Sequence, residues 1–218
     1  MSDSIKRYEG KDADVCWDSR LCIHVGECGR SQDELFVGGR DPWCQPDMVS
    51  LDQVVRVVER CPTGAITYER KDGGEAEVAR SRNTVMVANN GPLYVRGQLE
   101  IEGAAEDMDG VKFRAALCRC GQSRNKPFCD GAHDGAGFKD FGAVGRMGDA
   151  GEGAATGGLL KITKFKDGPL YLQGNFEIVS AGGCATFKGS KAALCRCGAS
   201  KDKPFCDGSH KAAGFTAE

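Results

Sequence analysis

Two stretches of the chain alternate apolar and polar residues with a period of two. Leu93, Val95, Leu99 and Ile101 alternate with Tyr94, Arg96, Gln98 and Glu100, and Leu170, Leu172, Phe176 and Ile178 keep the same rhythm. That period puts one face of a strand in a core and the other in solvent. Asn90-Gly91 and Asp167-Gly168 stand just before these runs and supply the positive-φ residues of a hairpin turn. A further strand is predicted near 112–117, with its counterpart near 188–194. A helical pattern appears at Ser50-Leu-Asp-Gln53, a capping box. Val54, Val55, Val57 and Val58 give the helix that follows, to about Arg60, an apolar face.

The two alternating stretches belong to an internal repeat. Residues 91–97 and 168–174 read GPLYVRG and GPLYLQG, 116–121 and 193–198 both read ALCRCG, and 126–133 and 203–210 read KPFCDGAH and KPFCDGSH. Every match is offset by 77 residues with no gap, so one unit has been duplicated. A unit of about 55 residues buries too little surface to be comfortable alone. The two copies are therefore expected to pack as an intrachain pseudo-dimer around a shared β core. The fold class expected is α+β, with an N-terminal α+β domain at 1–70 and β-rich units at 80–138 and 159–218. Between the units, 139–158 holds seven Gly and reads as a linker.

Composition narrows the chemistry. Basic and acidic residues number 29 and 31, with no block of like charge, which argues against nucleic acid or an anionic membrane as partner. The N-terminus lacks an apolar signal region and no run approaches the ~20 residues of a membrane span, so a soluble, cytoplasmic protein is expected. Twelve Cys then point to metal or redox chemistry rather than disulfides.

The candidate ligands are Cys118, Cys120, Cys129 and His133 in the first copy and Cys195, Cys197, Cys206 and His210 in the second. Cys-x-Cys places two thiolates on one short loop. A Cys four residues before a His places both on one face of a helical turn. Asp130 and Asp207 are good helix-start residues, and Gly131 and Gly208 after them let the backbone approach closely. By spacing alone, structural zinc stays open as the alternative to an iron–sulfur cluster, since Cys₃His suits tetrahedral Zn²⁺.

Both copies match Cys-x-Cys-x₂-Ser-x₃-Pro-x-Cys-Asp-Gly-Ala/Ser-His, with Ser123 and Pro127, and Ser200 and Pro204, at the intermediate positions. In this the chain resembles the CDGSH iron–sulfur family of the mitoNEET type. The resemblance implies a [2Fe–2S] cluster on three Cys and one His in each copy. It also implies small β-rich domains that pair by strand exchange, here within one chain. The first copy reads CDGAH, with Ala132 where the sequence that names the family has Ser.

The N-terminal third holds Cys16, Cys22, Cys28, Cys44 and Cys61. Cys61-Pro-Thr-Gly-Ala65 presents a Cys before Pro, as bacterial-type ferredoxins present a last ligand. With Cys22/His24/Cys28 and Pro42-Trp43, the segment resembles the divergent single-cluster 4Fe–4S family. The resemblance implies a ferredoxin-like domain with Cys22, Cys28 and Cys61 as ligands. The cluster is then [3Fe–4S], or [4Fe–4S] completed by Cys16, Cys44, His24 or an outside ligand. Cys184 aligns with Asp107 in the first copy and has no place in the motif.

All three His fall beside candidate ligands, and no nucleotide or flavin fingerprint occurs. The expectation is a non-enzymatic carrier of electrons or clusters, a monomer working with redox or cluster-accepting protein partners. A redox subunit of an oxidoreductase complex and a structural zinc protein are the alternatives.

Overall fold

The computed structural model describes residues 4–31, 33–145 and 157–218. Among them, β1 (Ile5–Tyr8), β2 (Ala13–Asp18) and β3 (Ile66–Arg70) form an antiparallel sheet in that order. Helix α1 (Leu51–Arg60) lies before β3. Ser50 caps it, its Oγ accepting from Gln53 N at 3.3 Å. Val54, Val57 and Val58 are buried and supply its apolar face.

The two repeats share one larger sheet. The first contributes β4 (Thr84–Val87), β5 (Leu93–Arg96), β6 (Gln98–Ile101) and β7 (Arg114–Leu117), then a single helical turn, α2 (Ala132–Gly135). The second contributes β8 (Leu159–Lys164), β9 (Leu170–Val179) and β10 (Ala185–Leu194). Within each repeat the antiparallel pairs are the same at the 77-residue offset: Leu93 faces Leu117 as Leu170 faces Leu194. Between repeats the pairs are parallel and reciprocal. Strand β6 runs beside β8, joining Glu100 to Lys161, and the far half of β9 runs beside β4, joining Glu177 to Thr84.

Alternation explains the core. Val85, Val87, Leu93, Val95, Leu160, Ile162, Leu170, Leu172 and Ile178 are all essentially inaccessible, and their chain neighbours are more exposed except for Pro92 and Glu177. The hydrophobic cluster they build continues into the N-terminal sheet and α1. Fold class is thus mixed α+β. No helix among the described residues is long and apolar enough to cross a membrane.

Three local expectations need correction. The first repeat's third strand begins at Arg114, because Asp109–Lys112 coils into a 3₁₀ turn instead. Its counterpart begins at Ala185 and is longer than predicted. Residues 140–142, placed in the linker by composition, are held on both repeats: Asn90 N of the first donates to Asp140 O at 2.7 Å and Ala181 N of the second to Gly142 O at 2.9 Å. The same pairing closes the second repeat, where Asp167 N donates to Ala217 O at 2.8 Å. Within the predicted linker, residues 146–156 lie outside the described residues.

Candidate metal centres

Strand β7 ends at Leu117 and delivers Cys118 and Cys120 on a tight loop. The chain then returns antiparallel along the strand end: Leu117 bridges Phe128, Cys118 N donates to Pro127 O at 2.9 Å, and Cys129 N to Ala116 O at 2.8 Å. This brings Cys129 beside the first two thiols. Ser123 ties the loop between them, its Oγ donating to Phe128 O at 2.7 Å and accepting from Asn125 N at 3.0 Å. Asp130 braces both sides, accepting from Arg124 N at 2.8 Å and Ala132 N at 3.0 Å.

The second repeat builds the same frame. Ser200 donates to Phe205 O at 2.7 Å, and Asp207 accepts from Lys201 N at 2.8 Å and Ser209 N at 2.9 Å. The predicted helices do not start at the Asp residues. Gly131, in the left-handed region at φ 85°, caps α2 instead, and the second copy makes turns with no helix. Each Asp spends its carboxylate on bracing the loop, so the backbone N–H groups it satisfies are not aimed as a helix end.

The candidate ligands in each repeat fall into two close pairs. Cys118 and Cys120 sulfurs are 3.7 Å apart, and Cys129 Sγ lies 3.4 Å from His133 Nδ1. In the second repeat the distances are 3.7 Å for Cys195 and Cys197 and 3.3 Å for Cys206 and His210. Two ligands of one tetrahedral ion at ~2.3 Å stand roughly 3.7 Å apart, so each pair has the spacing of a single metal. Among the described residues no three Cys, His, Asp or Glu side chains are placed to hold one ion together. Backbone amides add polar support, Gln122 N to Cys120 Sγ and Gly131 N to Cys129 Sγ, both at 3.4 Å. The residues fit a two-metal group of negative charge.

Burial and mutual hydrogen bonding set the protonation of the free thiols. Burial pushes the Cys129 thiol up to about 12 and the Cys195 thiol upward too. Cys118 is lowered by the hydrogen bond from Cys120, whose own thiol is raised by that partnership. A thiol held protonated across the neutral range must release its proton when iron binds. Apparent iron affinity is therefore expected to rise with pH. A chelator competition should show weaker retention at about pH 6 than at about pH 8.

The residue between the paired Cys was missed by sequence reasoning, although it is Arg in both copies. Arg119 and Arg196 are each 1% exposed. Arg119 donates to Gly91 O at 2.7 Å, to Ala88 O and to Asp140, and lies over Phe138 at 5.0 Å. Arg196 repeats this on Gly168 O at 3.0 Å, Phe165 O at 2.7 Å and the Phe215 ring at 5.3 Å. Each guanidinium fixes its ligand loop to the hairpin turn. Arg119→Ala would take the guanidinium from the Gly91 and Ala88 carbonyls and leave partly buried Asp140 without its cation, at a cost of about 3 kcal/mol, measurable by urea denaturation.

The N-terminal site is a cavity of about 420 Å³. Cys22, Cys28, Cys61 and His24 line it, and Trp17, Phe36 and Trp43 form an apolar wall. Cys61 is the C-cap of α1, and Thr63 Oγ1 lies 3.5 Å from its sulfur. Burial raises Cys28, and the charges of Cys61 and Cys22 add to it. The three predicted Cys thus share one space. Of the three residues considered as a fourth ligand, His24 alone lines it, with Nδ1 4.0 Å from Cys22 Sγ. Cys16 opens onto a separate cavity with Arg7, Thr67 and Asp109, on the opposite side of β2 from Trp17. Cys44 is buried and lines a third cavity, with Tyr8, Pro42 and Pro46. Cys184 is exposed.

Comparison with known proteins agrees with this division. The family model described as iron-binding zinc finger, CDGSH type, matches residues 90–134 and again 167–211. The model for the divergent 4Fe–4S mono-cluster matches residues 8–71. The uncharacterized protein YjdI of Escherichia coli K12, and its namesake in E. coli O157:H7, are each 41% identical over 64 residues, 29% of this chain and 84% of theirs. No solved structure gives a significant match.

Proposed function

From a chain that belongs to the CDGSH family in its tandem repeats and to the divergent 4Fe–4S mono-cluster family in its N-terminal third, we propose a three-centre carrier of electrons or clusters rather than an enzyme. The observation that carries this reading is the two-and-two pairing of ligands in each repeat. It is the arrangement a [2Fe–2S] cluster needs, with Cys118 and Cys120 on one iron and Cys129 and His133 on the other. Cys195 and Cys197, and Cys206 and His210, divide in the same way. A mononuclear zinc would draw all four donors onto one point.

Cys22, Cys28 and Cys61 would hold the third cluster, with His24 nearest to completing it. The cavity has room for such a group, and its aromatic wall would keep water from the sulfurs. When bound, such clusters supply reversible one-electron storage over a wide range of potentials. The chain's own part is to hold the ligands, brace the loops through Ser123, Asp130, Ser200 and Asp207, and bury the thiolates. The reciprocal parallel strands support reading the repeats as an intrachain pseudo-dimer, with protein redox partners rather than a second copy as the working contacts.

The test is an iron, sulfide and zinc count on anaerobically purified protein, with EPR after reduction. About seven or eight irons with matching sulfide are expected, from two two-iron clusters and one of three or four. Zinc without sulfide would overturn the reading. Turnover of a small substrate by the isolated chain would favour an enzyme.

A further inference from the structure

Both ligand-bearing loops of the N-terminal site are fastened to the first repeat. The carbonyl of Arg20, two residues before Cys22, accepts from Asn125 Nδ2 at 2.7 Å, and Asn125 lies in the first repeat's metal loop. The Arg20 guanidinium meets Asp107 at 2.9 Å. The Cys61 carbonyl accepts from Arg114 Nη1 at 3.0 Å. Arg114 is buried, also donates to Ile66 O at 3.2 Å, and opens the strand that runs into Cys118. Beside it, Arg96 donates to Arg60 O at 3.1 Å. Gly64 and Gly110 touch backbone to backbone: a Cβ on Gly110 would stand 2.0 Å from the Gly64 carbonyl oxygen.

These residues are not repeated. At the 77-residue offset Arg96, Asp107, Gly110, Arg114 and Asn125 become Gln173, Cys184, Phe187, Lys191 and Asp202. The candidate ligands, the loop Ser and the loop Asp are the same in both copies. The repeats have thus diverged where one of them meets the N-terminal site and stayed alike where they hold metal.

Two further contacts set an order. Tyr94 pairs across the sheet with Ala116, whose carbonyl accepts from Cys129 N. Burial pushes the Tyr94 phenol up to about 12. The metal loops of the two repeats also meet. A Cβ on Gly121 would lie 2.7 Å from Cys197 O, and one on Gly198 would lie 2.8 Å from Cys120 O.

We propose that this docking makes the N-terminal site and the first repeat an electron-exchanging pair, with Arg114 and Asn125 as positioning residues and the second repeat reached through the first. The proposal rests on the cluster-carrier reading above. One electron leaves one centre and enters the other, and no bond or proton moves. Electron transfer falls steeply with distance, so hydrogen-bonded ligand loops set both partner and rate. An external one-electron donor fills the pair; in the test this is dithionite.

The test uses the full chain with its clusters and reads EPR power saturation after complete reduction. Cys195→Ala with Cys197→Ala leaves the first repeat's signal, and Cys118→Ala with Cys120→Ala leaves the second's. Each is compared with and without Cys61→Ala, which empties the N-terminal site. The first repeat's half-saturation power should be several-fold higher when the N-terminal centre is present, and the second's should not change. Arg114→Lys with Asn125→Asp, the residues of the second repeat, should lower that enhancement at unchanged iron content. Made in the otherwise wild-type chain, the same two substitutions keep every ligand and should lower the half-saturation power of the combined repeat signals, so the test stands even if a ligand-deleted chain fails to fold. Equal dependence in both repeats, or none in the first at full N-terminal iron, would overturn the pairing and leave the carrier reading intact. Absence of N-terminal iron in the wild type would overturn both.

Discussion

Replacing Cys61 with Ala is expected to empty the N-terminal site, lowering iron from about seven or eight atoms per chain to about four. The argument is geometric. Cys22 and Cys28 come from one loop, whereas Cys61 comes from the end of α1 and lines the same cavity. Two thiolates from a single loop cannot enclose a cluster of three or four irons. The backbone at Cys61 keeps its bond to Arg114, so the sheet and helix should remain, with a direct packing cost on the order of 1 kcal/mol for the small side chain lost. The [2Fe–2S] signals should persist. Cys16→Ala should leave the count untouched, because Cys16 opens onto a different cavity. His24→Ala separates the remaining possibilities: a loss of iron makes His24 a ligand, and full iron with an altered spectrum makes it a neighbour. Full iron in Cys61→Ala would sink the assignment of the site.

Replacing His133 and His210 together with Cys should lower the reduction potential of both repeat clusters, by an amount on the order of 100 mV. Neutral imidazole leaves a cluster less negative than thiolate does, and a less negative cluster accepts an electron more easily. The substitution adds one negative charge at each centre. It does so beside three sulfurs, while the buried Arg119 and Arg196 guanidinium groups are spent on the hairpin turns. Potentiometric titration followed by EPR reads the change directly. The N-terminal signal serves as internal reference. Its sulfur ligands are untouched, so its potential should hold steady apart from the effect of the added charge on its neighbour. An unchanged potential in the repeats would mean that imidazole does not bind iron there.

How much of this was legible beforehand follows from how far apart the interacting residues lie in the chain. Alternating Leu93, Val95, Leu99 and Ile101 announce a half-buried strand, because each residue's face is set by its immediate neighbours. The Ser50 cap and the Val stripe announce α1 for the same reason. The paired motifs at a 77-residue offset identify the candidate ligands without any knowledge of the fold, since a metal loop is built from residues close in sequence. Even so, local patterns erred where a tertiary partner intervened. Asp109–Lys112 coils rather than extends where Gly64 packs against Gly110, and the helix expected at Asp130 shrinks to one turn because its carboxylate braces the loop.

Other features were decided by tertiary structure. The sequence says that two like units exist; it does not say that Glu100 pairs with Lys161 and Glu177 with Thr84. Such parallel pairs join residues with no local turn to set their register, and only the packing of both inner faces into one core selects them. The roles of Arg119 and Arg196 were equally hidden, because a charged residue between two Cys reads as exposed until its carbonyl partners, some 28 to 31 positions away, are brought to it. Cys16 and Trp17 are adjacent in the chain, yet they open onto different cavities. A strand sends successive side chains to opposite faces, and only the fold decides which face holds the cluster.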